Sequence, residues 1–255
     1  MNIDQLFESL SSIPKADLTF WQRIFLRFYR AWFEADRWQS YFKGLGVTLQ
    51  VTVIALSIGV ALGILVAIIR VAHDQQRPGS RSLLLGAVNW VCKIYVTVIR
   101  GTPMTVQLLI WGLVIFASSR EFNLVGALGL GINSGAYVAE IIRGGLMSLD
   151  PGQAEAGRSL GLGYIDTMRF IVIPQAFKAV LPALGNEFIV LLKDTSLLTI
   201  IAGKEIVYFA KSIGANTYDY MFPLLITAIM YLCLVLILSW LQSKMEGRLR
   251  ASDRR

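Results

Sequence analysis

The sequence predicts an all-α integral membrane protein with about five transmembrane helices. Three observations carry that prediction. Hydrophobic residues make up 55% of the chain and charged residues only 16%, with a mean hydropathy of +0.58; a soluble core carries more charge. Several apolar runs reach the roughly 20 residues needed to cross about 30 Å of hydrocarbon. The basic residues, which give a net charge of +7, lie mostly beside those runs. There they orient spans, so no nucleic acid is needed to account for them. Cys92 and Cys233 sit in apolar stretches without paired spacing and read as packing residues.

Residues 1–17 are polar and lack the apolar core of a cleavable signal peptide. Between Leu18 and Phe42, Trp21, Phe25, Phe28 and Trp32 recur at helical spacing, with Arg23, Arg27 and Arg30 among them. That pattern is an amphipathic helix suited to the membrane interface. The chain therefore divides into a polar and amphipathic segment (1–43), a transmembrane domain (44–247) and a basic cytoplasmic tail (248–255). Gly44 to Ile69 is the first span, uncharged, with Gly59 and Gly63 spaced for close helix packing. A polar loop with Arg70, Arg77 and Arg81 follows.

Leu83 to Ser118 is longer than one span needs and is interrupted at Arg100-Gly101-Thr102-Pro103. It is either two spans joined by a hairpin or one helix bent at Gly101 and Pro103. Leu124 to Ile142 is rich in glycine, but without a preceding strand or a Gly-Lys-Ser/Thr it packs helices rather than phosphate. Glu140 and Arg143, three apart, are placed to pair. Phe177 to Ala202 and Met221 to Gln242 are the last spans, with a polar connection over Gly203 to Tyr220. Lys244, Arg248, Arg250, Arg254 and Arg255 form the tail. The basic loops and tail belong in the cytoplasm. Five spans then put the N-terminus outside, against the basic character of residues 18–43; a sixth span within 83–118 is the alternative.

The most informative polar stretch is Gln153 to Pro174. Asp150 and Pro151 predict a helix start, and Gln153 to Leu160 a short helix with Glu155 near its positive end. Gly161 and Gly163 are suited to end it. A second helical stretch, Ile165 to Ile173, is interrupted by Pro174. A short charged helix between two spans has little to bury in lipid, so a soluble partner is its natural counterpart.

The order Glu155-Ala156-Gly157-x3-Gly161-x9-Ile171-x-Ile173-Pro174 resembles the EAA loop, EAA-x3-G-x9-I-x-L-P, of the membrane subunits of ATP-binding-cassette importers. Gly157 and Ile173 depart from it and keep size or apolarity. Arg100-Gly-Thr-Pro, Asn133-Ser134-x2-Tyr137 and Asn186-Glu187-Phe-x4-Lys193-Asp194-Thr195-Ser196 resemble the polar-amino-acid branch of these importers. The resemblance implies a type I importer permease and favours one bent helix over 83–118. It implies that the loop over 148–175 meets a separate ATPase subunit through Glu155, Ala156, Gly157, Arg158 and Gly161. It further implies a second permease subunit, identical or homologous, an extracytoplasmic solute-binding protein, and a bacterial cytoplasmic membrane as the location. ATP and Mg would be held by the ATPase, with no cofactor on this chain.

The residues themselves suggest where a solute binds. Glu187 and Asp194 are seven apart, so they share a helix face about 10 Å apart along the axis. An acidic group within a span costs roughly 2.5–3.5 kcal/mol, so each is expected to face a polar cavity or a partner. Two carboxylates on one face suit a cation such as the α-ammonium of an amino acid. Thr195, Ser196, Gln107, Asn133 and Ser134 supply neutral hydrogen bonds, with Tyr137 added by the resemblance. Alternatively Glu187 or Asp194 pairs with Lys193, Arg100 or another helix and lines nothing. With His73 as the only histidine and no Walker A, HExxH or Cys-x-x-Cys, no catalytic set is present. An ion-coupled secondary carrier, or an importer for another small polar solute, is the alternative function.

Overall fold

The computed structural model describes residues 2–14, 16–76 and 82–253. Arg77, Arg81, Arg254, Arg255 and the side chain of Arg250 lie outside that description. The described residues are helical with no strand: α1 (Ile3–Ser11), α2 (Phe20–Trp32), α3 (Arg37–Asp74), α4 (Leu83–Gly101), α5 (Met104–Leu109), α6 (Phe122–Met147), α7 (Pro151–Ser159), α8 (Tyr164–Thr167), α9 (Ile173–Asp194), α10 (Ile206–Thr217) and α11 (Met221–Asp253). Five helical stretches are long and apolar enough to cross a membrane: Glu34–Asp74, Leu83–Gly101, Phe122–Met147, Tyr164–Ile201 and Met221–Leu249. The number agrees with the sequence reading.

The core is the α3–α6 pair, which closes on small residues. A Cβ placed on Gly59 would lie 2.8 Å from Ser134 Oγ, and one on Gly63 would lie 2.4 Å from Val138 Cγ1 and 3.0 Å from the Ala139 backbone nitrogen. Lipid gives no hydrophobic drive for helix association, so this close approach supplies the packing contact instead. Gly63→Ala should therefore lower stability by about 1–3 kcal/mol through overpacking. A clear fall in the thermal unfolding midpoint of the detergent-purified protein is the expected reading, and an unchanged midpoint would show that the pair is looser than the contacts require.

Three expectations about the helices are corrected. Residues 83–118 are not one bent helix: α4 ends at Gly101, Thr102 is extended (φ −117°, ψ 145°), and α5 begins after Pro103. Proline drives the residue before it out of the α region. The carbonyls freed at the break are taken by a side chain, Gln107 Nε2, which donates to Ile99 O at 2.8 Å and Thr102 O at 3.2 Å. Nor is 203–220 a polar connection: α10 buries Ile206, Ala210, Ile213 and Gly214 against α3 and α11. Pro174, expected to interrupt a helix, instead sits in the first turn of α9 directly after a wide π-turn at Met168–Val172. That turn is where the hydrogen-bond pattern shifts to accommodate the missing N–H.

The amphipathic segment is divided. α2 is closed by a capping box from Thr19 and Gln22, and left-handed Ala35 and Asp36 (φ 53° and 51°) then turn the chain into α3. Chain connectivity through five spans places α2 and the α10–α11 loop at one end of the bundle and α7 at the other. The basic residues of α2 are engaged there. Arg27 grips Asp219 with two hydrogen bonds of 2.6 and 2.7 Å, Arg23 donates to Leu18 O at 3.0 Å, and Arg30 lies 6.0 Å over the Phe7 ring. The Arg27 guanidinium holds the Asp219 carboxyl below its usual range. Charges held in this way weigh less against an outside N-terminus.

Candidate functional site

α3, α6 and α9 converge at mid-span on a carboxylate. Glu187, on α9, is only 8% exposed. Ser134 of α6, fully buried, donates from Oγ to Glu187 Oε1 at 2.7 Å, and the absent side chain of Gly59 on α3 makes the space for that hydroxyl. Asp194 ends α9 seven residues on, partly buried, with no hydrogen bond from a described residue. Lys193 and Asn186 are exposed.

The other predicted residues fall into separate groups. Asn133 Nδ2 donates to Gln107 Oε1 at 3.0 Å, so these two amides close the α4–α5 break against α6. Tyr137, partly exposed, lies under Arg100, whose guanidinium carbon is 5.2 Å from the ring centroid. Arg100 itself is exposed at the end of α4; its interruption of an apolar run was visible in the sequence, its position beside Tyr137 was not. Ser196 Oγ donates to Lys193 O at 2.7 Å and stays within its own helix turn.

Thr195 belongs elsewhere. It is fully buried, donates to Leu192 O at 2.7 Å and lies 3.4 Å from the Tyr231 hydroxyl. Tyr231 in turn donates to Glu205 Oε2 at 3.0 Å. Glu205, 0% exposed, caps α10 by accepting from Val207 N at 2.9 Å and Tyr208 N at 3.0 Å, and accepts from Thr199 Oγ1 at 3.1 Å. Sequence reasoning missed this network. The available signal was an acidic residue immediately before an apolar run, the position of an N-cap, but glutamate is not among the preferred caps.

At the other end of the bundle the short loop helix forms as expected. Asp150 Oδ1 accepts from Gly152 N at 2.9 Å and Pro151 occupies the first turn. Gly161 takes φ 82°, the left-handed turn that ends α7. Gly157 is the buried residue of this helix: a Cβ there would lie 2.8 Å from Ile171 Cδ1 and 3.1 Å from Thr167 Cγ2. α7 is therefore pressed onto the turn leading into α9. Its remaining surface is bare, with Glu155, Ala156 and Arg158 exposed and Leu160 81% exposed. Tyr164 donates to Gln75 Oε1 at 2.5 Å and Gln175 to Gln153 Oε1 at 3.1 Å, which tie the loop to α3 and α9.

A further polar link lies near the same end. Glu140 accepts from Arg143 Nη2 at 2.8 Å and is also paired with Arg70 of α3. The expected same-helix pair is thus the core of a triad that joins α3 to α6.

Comparison with known proteins gives consistent matches. Residues 81–251 match the family described as binding-protein-dependent transport system inner membrane component. The arginine transport system permease protein ArtQ of Bacillus subtilis (strain 168) is 36% identical over 214 residues, spanning 83% of this chain and 93% of that protein. The glutamine transport system permease protein GlnP of Escherichia coli (strain K12) is 32% identical over 215 residues, spanning 82% and 92%. A crystal structure of an amino acid ABC transporter with histidines superposes with a TM-score of 0.73 at 40% identity, over 82% of this chain and 94% of that one. The MetNI methionine ABC transporter in an inward-facing form shares the fold, with a TM-score of 0.68 at 17% identity over 85% and 99%.

Proposed function

Because this chain belongs to the family of binding-protein-dependent transport system inner membrane components, we propose that it is the permease subunit through which an ATP-binding-cassette importer moves a polar amino acid inward. It is a multi-pass inner-membrane protein and a transporter subunit, not itself an enzyme. Such permeases work with ATPase and binding-protein partners.

The observation that carries the reading is α7, a polar helix pressed onto the base of α9 through Gly157 with its outer face uncovered. An ATPase subunit docks on that face through Glu155, Ala156, Arg158 and the Gly161 turn. Its ATP and Mg stay on its own side of the contact. Motion of α7 passes into the same helical span that carries Glu187 and Asp194. Those two carboxylates take the cationic end of the solute. Arg100, over the Tyr137 ring, stands ready for the carboxylate end, and the Asn133–Gln107 pair adds neutral hydrogen-bonding groups. A second permease subunit, a copy or a homologue, completes the pathway across the exposed faces of the spans. A cytoplasmic membrane of a bacterium is the setting.

The test is uptake of labelled amino acids into proteoliposomes holding the full complex with its ATPase and binding protein. Uptake that requires internal ATP and favours one group of polar amino acids supports the reading. Uptake that proceeds without ATP and follows an ion gradient would overturn it in favour of a carrier.

A further inference from the structure

α2 carries three arginines on one face, Arg23, Arg27 and Arg30, spaced by four residues and then three. They border a cleft of about 320 Å³ between α1 and α2. Its floor is apolar, built from Leu10, Leu18 and Leu26, which are buried against one another. α1 is fixed to α2 beside this cleft: the Tyr29 hydroxyl donates to Asp4 Oδ1, and the Phe7 and Tyr29 rings stack with centroids 4.2 Å apart. The cleft is therefore preformed.

The charges at its rim are only partly balanced from within the chain. Arg27 is neutralised by Asp219, and Arg37 at the start of α3 by Glu34. Arg23 and Arg30 form no ion pair among the described residues. Arg23 gives its Nε to a backbone carbonyl, and Arg30 lies over an aromatic ring; neither contact cancels a charge. The terminal nitrogens of both are left without a hydrogen-bond acceptor among the described residues. A guanidinium presents a planar fork of donors that fits phosphate oxygens. Two of them above an apolar floor match an anion with an apolar body.

The surroundings are those of a membrane surface. Trp21 on α2 is 75% exposed, Phe20 beside it is exposed too, and Trp38 and Phe42 are exposed at the start of α3. Exposed aromatic rings at the end of a span mark headgroup level, and the phosphates of the leaflet lie at that depth. We propose that the α1–α2 cleft binds an anionic phospholipid, with Arg23 and Arg30 on its phosphate and the leucine floor against the start of its acyl chains. The lipid supplies the counter-charge that the chain lacks, and it ties α1 and α2 to the bilayer. The membrane setting is all that this site requires, whatever solute the spans carry.

The test is titration of the purified full-length chain, in mild detergent, with short-chain phosphatidylglycerol, read by native mass spectrometry. The expected result is a tightly bound phosphatidylglycerol that phosphatidylcholine of the same chain length does not replace. An arginine near an anionic surface contributes about fivefold in affinity. Arg23→Gln combined with Arg30→Gln should therefore weaken binding by about 25-fold. Arg23→Lys combined with Arg30→Lys keeps both charges and should retain most of the affinity. Arg120→Gln removes an exposed arginine at the same end of the bundle but outside the cleft, and should change nothing. Undiminished binding by the double glutamine variant overturns the proposal, as does an equal loss in Arg120→Gln, which would reduce the effect to bulk charge. Equal binding of phosphatidylcholine to the unaltered chain also overturns it, and that comparison decides even where a variant does not fold. Glycerol phosphate bound as tightly as the lipid would overturn it in favour of a soluble anion.

Discussion

Glu187→Gln should reduce amino-acid uptake at subsaturating substrate by roughly 10- to 150-fold while leaving the permease folded. The amide oxygen still accepts from Ser134 Oγ, so the 2.7 Å contact between α6 and α9 survives. What disappears is the ionisable group proposed to meet the cationic end of the solute. A hydrogen bond to a charged group contributes about 1.5–3 kcal/mol, and every 1.4 kcal/mol is a factor of ten, which sets the range. Initial uptake rates in proteoliposomes, read beside the thermal midpoint, separate the two effects. Uptake that stays at the wild-type level would remove Glu187 from the binding site. Loss of uptake together with a large fall in midpoint would instead assign it a packing role between α6 and α9.

The second large effect is expected at the opposite end of the bundle. Glu155→Lys reverses a charge on the bare face of α7 without touching Gly157, the residue that presses α7 onto the protein body. Exposed substitutions of this kind change stability by no more than about 0.5 kcal/mol, so the thermal midpoint should hold. Like charges brought together at an interface cost several kcal/mol, so co-purification of the ATPase should fall sharply. ATP-driven uptake should fall with it, by at least about tenfold. Wild-type recovery of the ATPase on the variant would show that α7 is not where the subunits meet.

The spans were legible because crossing hydrocarbon demands long apolar helices, and little else in a sequence looks like them. The loop helix was legible for a different reason. Asp150-Pro151 and Gly161 are local signals whose meaning does not depend on neighbours in space, and each fixes one end of α7. Glu187 stood out because a carboxylate in an apolar run is costly wherever it points. Its partner did not, since a serine among glycines says nothing about which helix it meets. Thr195 shows the same limit from the other side. It neighbours Asp194 in sequence, yet it turns inward to Tyr231 and Glu205, and that direction is set by a 3-10 turn over Thr195–Ile201. α10 was misread because Lys211 and Gly214 interrupt its apolar residues, so that its buried stripe becomes visible only against α3 and α11. The break after α4 needed Gln107, eight residues downstream of the carbonyl it satisfies, and pairings of that reach are not a local signal.

The wide turn at Met168–Val172 has a consequence for how the two ends of the molecule are phased. One helical span runs from Tyr164 to Ile201, with the α7 contact at Thr167 and Ile171 near its foot and Glu187 and Asp194 near its head. A π-turn holds one residue more than an α-turn, and one residue is about 100° of rotation. The azimuth of the carboxylates relative to the Thr167 end of the α7 contact is therefore set by these five residues, Ile171 among them. With that turn tightened, Glu187 would point away from Ser134 and Ile171 would leave its place against Gly157; with it in place, the foot and the head of the span keep time.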